Sequence, residues 1–215
     1  MLLGRERRAE FLLGLRARGI RDLDVLRALE TVPRESFVPH RYADLANRDM
    51  ALPIACGQTM PEPFLVARMV EALALKPGMR VLEIGAGSGY ATAILARLSG
   101  EVLAIERFQS LALAAAARLE KLRIRNAGIV WGDGLALPPG NGPFDRVVVH
   151  ALMDSVPDNV RQALAAGGML MLAQTGGDGQ QWLRRLVADG QGGFAVTPVC
   201  LSRMRPLIAG MSQGL

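Results

Sequence analysis

Val81-Leu82-Glu83-Ile84-Gly85-Ala86-Gly87-Ser88-Gly89-Tyr90 decides how this chain reads. An apolar run rich in strand formers, interrupted by one acidic residue, ends in a Gly-x-Gly-x-Gly turn. A helix-like stretch, Ala91 to Leu98, follows. Glycine has no Cβ and tolerates positive φ, so such a turn bends sharply and lets a ligand approach the backbone. A strand that feeds this turn into a helix N-terminus builds a nucleotide-sized crevice.

The spacing narrows the ligand. A dinucleotide fingerprint, Gly-x-Gly-x-x-Gly, would need glycine where Tyr90 stands, and no Gly-Lys-Ser/Thr follows for a phosphate-binding P-loop. The pattern Glu-x-Gly-x-Gly-x-Gly instead resembles motif I of class I methyltransferases that use S-adenosylmethionine. Glu101 to Ile105 reads as a second strand ending at Glu106, 21 residues after Gly85. An acid at that distance in a βαβ unit is placed to accept hydrogen bonds from ribose hydroxyls. A helix over Ser110 to Leu122 carries Leu111, Ala115 and Leu119 at helical spacing. Gly128 to Trp131 then forms a third strand running into Gly132-Asp133-Gly134. Asp133 there can accept from an adenine amino group, or can simply make an Asp-Gly turn.

Length and composition set the bounds. The chain has 215 residues, half of them hydrophobic, which is enough for one sizeable core. Its two cysteines, Cys56 and Cys200, lie far apart, and no Cys/His cluster has metal-ligand spacing. That predicts a reducing, cytoplasmic setting and no metal. The charged N-terminus lacks the apolar core of a secretory signal, and no apolar run is long enough to span a bilayer. The net charge is +5, with an excess at Arg5, Arg7, Arg8, Arg16, Arg18 and Arg21. Only 5% of residues are aromatic, so these arginines read as a solvated helix face and argue against a nucleic-acid surface.

The chain divides in two. Residues 1–76 form an N-terminal helical segment with a cofactor-covering loop; helices are expected at Ala9–Arg18, Leu23–Glu30 and Pro63–Leu73. Residues 77–215 form the core, where strands and helices alternate. The core includes a fourth strand at Asp145–Val149, a short helix at Val160–Leu164 and a fifth strand at Met169–Ala173. Beyond a Gly-rich turn, helix is expected around Trp182–Val187, with strands at Phe194–Val199 and Leu201–Leu207. The fold class is α/β: a Rossmann-like, doubly wound, mostly parallel sheet with helices on both faces. A helical N-terminal addition and an antiparallel C-terminal edge complete one compact domain.

Two segments ahead of the glycine turn carry a closer resemblance. Val32-Pro33-Arg34-Glu35-Ser36-Phe37-Val38 is followed by Leu52-Pro53-Ile54 and by Gly57-Gln58-Thr59-Met60-Pro61-Glu62-Pro63. In that order they resemble the protein-L-isoaspartate O-methyltransferase family, and the likeness runs from about Leu15 to Leu207. The resemblance implies methyl transfer from S-adenosylmethionine to the α-carboxylate of L-isoaspartyl residues in damaged protein, leaving S-adenosylhomocysteine. It implies a protein or peptide acceptor and no membrane, and leaves the oligomeric state open. It assigns the cofactor to Gln58, Thr59 and Met60 of the covering loop and to Glu83, Gly85, Ala86, Gly87 and Ser88 of motif I. It further assigns Glu106 to the ribose, Asp133 and Gly134 to the adenine, and Gln181 to the C-terminal side. Thr59, position 61 and His150 are the candidate catalytic positions.

The departures from the family pattern fall on the acceptor side. The family's active-site serine after Gly-Gln-Thr-Ile is here Pro61, which has neither hydroxyl nor N–H. The small residues expected after the fourth strand are His150-Ala151-Leu152-Met153. Arg203 matches an arginine before the closing Pro-Leu, whereas Arg205 replaces an apolar residue. Two readings of the acceptor stay open. In one, isoaspartyl chemistry persists without the serine. In the other, the pocket is rebuilt, with His150 as a base or orienting group and Arg203 and Arg205 binding an anion. A non-catalytic S-adenosylmethionine-binding protein is the further alternative. A nucleic-acid amino-methylase would need an Asn/Asp-Pro-Pro-aromatic motif after the fourth strand, which is missing.

Overall fold

The computed structural model describes residues 2–137 and 141–213, and of residues 2–7 the backbone alone. Helix α1 (Leu2–Ala17) begins seven residues ahead of its expected start, and α2 (Leu23–Thr31) follows. Asp22 caps α2, accepting from the Asp24 and Val25 amides at 2.9 and 3.0 Å. Two 3₁₀ turns (Arg34–Phe37 and His40–Leu45) lead to a two-stranded hairpin, β1 (Leu52–Pro53) and β2 (Thr59–Met60), and then to α3 (Pro63–Ala72). Pro63 opens α3, at a position where no amide partner is needed.

The core alternates β3 (Arg80–Ile84), α4 (Tyr90–Leu98), β4 (Glu101–Glu106), α5 (Gln109–Lys121), β5 (Ala127–Trp131) and β6 (Phe144–Leu152). It ends with α6 (Asp158–Gln162), β7 (Leu164–Thr175), β8 (Gln181–Ala188) and β9 (Phe194–Leu201). Seven of these strands form one sheet in the order β5-β4-β3-β6-β7-β8-β9. The first five are parallel, and β8 and β9 add antiparallel. This is the expected α/β sheet with its antiparallel edge.

β3 and β6 are central, so both faces are covered and their middles are apolar and buried, at Val81 and Leu82 and at Val147 to Val149. Helix α4 is buried nearly all round, lying between the sheet and α2. The N-terminal residues share this core: Leu15, Val25, Leu29 and Phe37 belong to one cluster with Tyr90, Ile94 and Val148. Arg8, Arg16 and Arg18 are solvated, as expected; Arg5 and Arg7 lie where side chains are not described.

Two expectations are corrected. The stretch Trp182–Val187 is not helical: it lies inside β8, paired on both sides, with Trp182 opposite Gln174 on β7 and Leu201 on β9. Its buried leucines, Leu183 and Leu186, are three apart because they point to opposite faces of the sheet, each into a separate core cluster, and that spacing imitates a helix. Pairing on both edges overrides the helix propensity of Leu-Arg-Arg-Leu. The stretch Leu201–Leu207 is not a strand either. After Leu201 the chain becomes an irregular strap that touches the sheet at Leu152 and, further on, the turn ahead of α5 at Phe108.

Candidate active site

Strand order reverses at β3: β4 and β5 continue to one side, β6 and β7 to the other. The crevice at the carboxyl ends of β3 and β6 is where an open α/β sheet binds ligands. The turn Gly85–Gly89 sits there. Gly85, Gly87 and Gly89 have φ of 90°, 56° and 85°, values that a residue with Cβ rarely adopts. The Gly85 amide donates to the Ile105 carbonyl at 2.8 Å, tying the turn to the end of β4.

Glu106 ends β4 and fixes the turn from the side. Its carboxylate accepts from the Gly87 amide at 2.8 Å and from the Phe108 amide at 2.9 Å. It also lines the cavity beneath the turn, with lone pairs left for further donors.

Glu83 plays a different part from the one expected. It is fully buried behind the turn and absent from the cavity wall. Its carboxylate accepts from Thr92 Oγ1 at 2.5 Å and lies 2.8 Å from His150 Nε2. The motif's acid is thus a brace for β3, α4 and β6, and His150 reaches the cavity from the other side of that brace.

The hairpin closes the opposite wall. The Ile54 amide donates to the Gln58 carbonyl, and the Gln58 side chain returns to the Cys56 carbonyl at 3.0 Å. Gln58, Thr59, Met60 and Pro61 all line the same cavity as Gly85, Ala86, Gly87 and Ser88. Arg34, missed from sequence, holds this wall in place. Buried to 2% exposure, it donates to the carbonyls of Ala46, Met50 and Pro61 at 2.7, 3.0 and 2.9 Å. Burial pulls its guanidinium down to about 10, offset in part by Tyr90 and Glu62. Tyr90, packed edge-on against Phe37 and 5.8 Å below the Arg34 guanidinium, completes the wall.

The C-terminal strap forms the roof. Leu152 donates to the Arg205 carbonyl at 2.8 Å and accepts from the Leu207 amide at 2.9 Å. Farther on, the Gly210 amide donates to Asp133 at 2.7 Å, and the Arg107 side chain donates to the Gly210 carbonyl at 3.1 Å. Arg205, Pro206, Leu207 and Ile208 therefore line the cavity, of about 180 Å³, from above.

Three predicted contacts lie off this cavity. Asp133 spends its carboxylate on the Leu135 and Gly210 amides. Gly134 packs so tightly that a Cβ would stand 2.3 Å from Ile84 Cγ2. Gln181, at the start of β8, accepts from the Met204 amide at 2.8 Å and anchors the strap. No sequence pattern flagged Arg107 and Phe108, which follow Glu106 into the wall, or the strap as a roof. Among the described residues no group of His, Cys, Asp and Glu is arranged to hold a metal ion, and no helix is long and apolar enough to cross a membrane.

The site fits a nucleoside. The glycine turn gives the backbone approach, Glu106 an acceptor for vicinal hydroxyls, and the wall of Ile54, Met60 and Phe108 an apolar cover.

The comparisons agree with this geometry. A family model described as protein-L-isoaspartate(D-aspartate) O-methyltransferase matches residues 6–210. The protein-L-isoaspartate O-methyltransferase 2 of Rhodopseudomonas palustris (strain HaA2) is 48% identical over 205 residues, covering 95% of this chain and 94% of the relative. A protein-L-isoaspartate O-methyltransferase of Azorhizobium caulinodans is 45% identical over 208 residues, covering 97% and 95%. A solved structure of a protein-L-isoaspartate O-methyltransferase superposes with TM-score 0.81 at 26% identity, covering 96% of this chain and 67% of that one. The fold is also that of a Plasmodium falciparum structure in complex with S-adenosyl-L-homocysteine, at TM-score 0.78 and 24% identity, covering 93% and 97%.

Proposed function

The chain belongs to the protein-L-isoaspartate O-methyltransferase family, and from that premise we infer that it methylates the α-carboxylate of L-isoaspartyl residues in damaged proteins. The observation that carries this reading is the sharing of one cavity by the glycine turn and the hairpin loop Gln58–Pro61. The two motifs are separated in sequence by α3 and β3, yet they enclose a space that joins a cofactor side to an acceptor side.

S-adenosylmethionine, when bound, supplies an electrophilic methyl group on a sulfonium leaving group. The acceptor carboxylate is already ionised at neutral pH, since its ordinary pKa is about 4. The protein therefore needs no strong base. Its work is to orient the nucleophile in line with the methyl group and to keep water out. Glu106 would receive the ribose hydroxyls, Gly85 to Ser88 would meet the cofactor through their backbone, and Gln58, Thr59 and Met60 would cover it, since all of them line one cavity. The Thr59 hydroxyl is an exposed donor on the acceptor side, where Pro61 offers none. Asp133 and Gly134 would shape the adenine end from behind, with the Asp133 carboxylate already accepting from the Leu135 and Gly210 amides. Gln181 acts at a distance, through the strap it anchors. Residues 1–76 serve as a helical cover packed on the catalytic core of residues 77–215. Two free cysteines are consistent with a cytoplasmic enzyme.

Methyl transfer to an isoaspartyl peptide beside its aspartyl control tests this reading, with Pro61→Ser in parallel. Transfer by the wild type to the isoaspartyl peptide alone is the expected result. Wild type that binds S-adenosylhomocysteine but is inert, with an active Pro61→Ser variant, would mean a degenerate acceptor site. Inertness of both would favour a different acceptor. That second reading draws on one observation: Pro61, His150 and Arg205, the three departures from the family pattern, all line the same cavity.

A further inference from the structure

We propose that Arg205 is the anchor for the acceptor's carboxylate, a role that rests on the carboxyl-methylation reading above. Two cations line the cavity, Arg107 and Arg205. Arg107 is committed: its Nε donates to the Gly210 carbonyl at 3.1 Å, and its guanidinium lies 5.0 Å from the Phe108 ring. The Arg205 side chain makes no hydrogen bond or ion pair with any described residue, and it is exposed at the cavity mouth. Its backbone, by contrast, is pinned. Leu152 donates to the Arg205 carbonyl at 2.8 Å and accepts from Leu207 at 2.9 Å, with the rigid Pro206 between. A free guanidinium on a fixed backbone is a presented charge.

Its location matches the charge pattern that the reaction requires. Glu106, an anion, ends β4 on one side of the glycine turn; Arg205 is tied to the end of β6 on the other. An anion is thereby favoured on the β6 side, as a carboxylate acceptor needs, while on the β4 side Arg107 stands next to Glu106 and offsets its charge. The nearby loop cannot supply an anion donor at position 61. Proline has neither an N–H nor a side-chain hydroxyl to donate. A guanidinium can grip a carboxylate through two parallel N–H donors, while leaving the attacking oxygen a free lone pair.

Steady-state methyl transfer to an isoaspartyl peptide, compared among wild type, Arg205→Leu and Arg205→Lys, tests the assignment. Arg125→Leu, at the opposite edge of the sheet, controls for net charge. Arg205→Leu should raise KM for the peptide about 20-fold with kcat changed less than about threefold, and S-adenosylhomocysteine affinity should be unchanged. Lysine should restore part of the loss, because the charge returns without the fork. The rise of KM with added salt seen for wild type should flatten in Arg205→Leu. An active wild type whose KM and salt dependence match those of Arg205→Leu overturns the assignment alone. Wild type that binds S-adenosylhomocysteine and transfers nothing overturns the carboxyl-methylation reading, and the assignment with it.

Discussion

His150 Nε2 lies 2.8 Å from Glu83 Oε1, joining β6 to β3 behind the glycine turn. The carboxylate is fully buried and its other oxygen is held by Thr92. Removing one partner from a buried charged group costs more than the net worth of the bond, because the remaining group stays desolvated. His150→Ala is therefore expected to lower unfolding stability by about 2 kcal/mol. A lower urea midpoint at unchanged slope would record it. His150→Gln, which keeps a donor, should recover part of the difference.

The same logic applies at Arg34 with more at stake. Four carbonyls from two loops, those of Ala46, Arg48, Met50 and Pro61, converge on one guanidinium, the last of them on the cavity wall. Arg34→Leu keeps the bulk and removes every donor, so a loss of about 3 kcal/mol is expected, with a lower midpoint in thermal unfolding. Because Pro61 and its loop lose their tether, S-adenosylhomocysteine should also bind about tenfold more weakly by calorimetry. Unaltered affinity would mean that the hairpin holds its shape without Arg34.

Much of this was legible in the sequence, for identifiable reasons. The glycine turn, Glu106 and the strand–helix alternation are local patterns, and the sheet obeys them. Glu83 was misread in role because motif position says nothing of which way a strand residue faces; here it faces α4, where Thr92 meets it. β8 reads as a helix because both faces of the sheet are covered there, so Leu183 and Leu186, three apart, are buried on opposite faces. The strap and Arg34 act through backbone carbonyls brought together by the fold, contacts of sequence separation 12 to 27 for Arg34, which no side-chain pattern encodes.

Gly134 tests how tightly the sheet's carboxyl edge is packed. A Cβ there would stand 2.3 Å from Ile84 Cγ2, whereas one at Gly177 meets nothing within 4 Å. Gly134→Ala must push Ile84 and the base of the glycine turn apart, at an expected cost of about 2 kcal/mol. Gly177→Ala should be neutral within about 0.5 kcal/mol. Urea titration of both variants beside the wild type makes the comparison.

Tyr90 predicts a pH dependence. Burial raises its phenol well above the ordinary value, against the pull of the Arg34 charge. The folded protein thus keeps a proton that the unfolded chain releases near pH 10. The stability gained from this group is complete below about pH 10 and declines as pH rises above it. Arg34, lowered to about 10, works in the opposite sense over the same range, so the wild type alone hides the effect. Tyr90→Phe removes one side of it. The stability difference between variant and wild type should shift toward the variant between pH 9 and about pH 11, in urea unfolding followed at both values. A constant difference would refute the raised phenol.

The strap makes the last prediction. Beyond Ile208 its hold on the β4–β5 side includes the Gly210–Asp133 bond, the Arg107–Gly210 bond, and the exchange of amides and carbonyls between Ser212 and the Arg107–Gln109 turn. None of these is part of the sheet ladder or the apolar core, so a chain ending at Ile208 should keep its far-UV circular dichroism and lose only about 1 kcal/mol of stability. The cavity roof would then hang from Leu152 and, through Met204, from Gln181. Asp133 would be released for a ligand amino group, which favours binding, while the cover over Phe108 would be lost, which opposes it. Desolvation by the cover is the larger effect, because it acts on the whole nucleoside and not on a single exposed hydrogen bond. Dissociation of S-adenosylhomocysteine should accordingly be about tenfold faster in the truncated chain by stopped-flow displacement. A slower dissociation would show instead that the Gly210 amide competes with the ligand for Asp133.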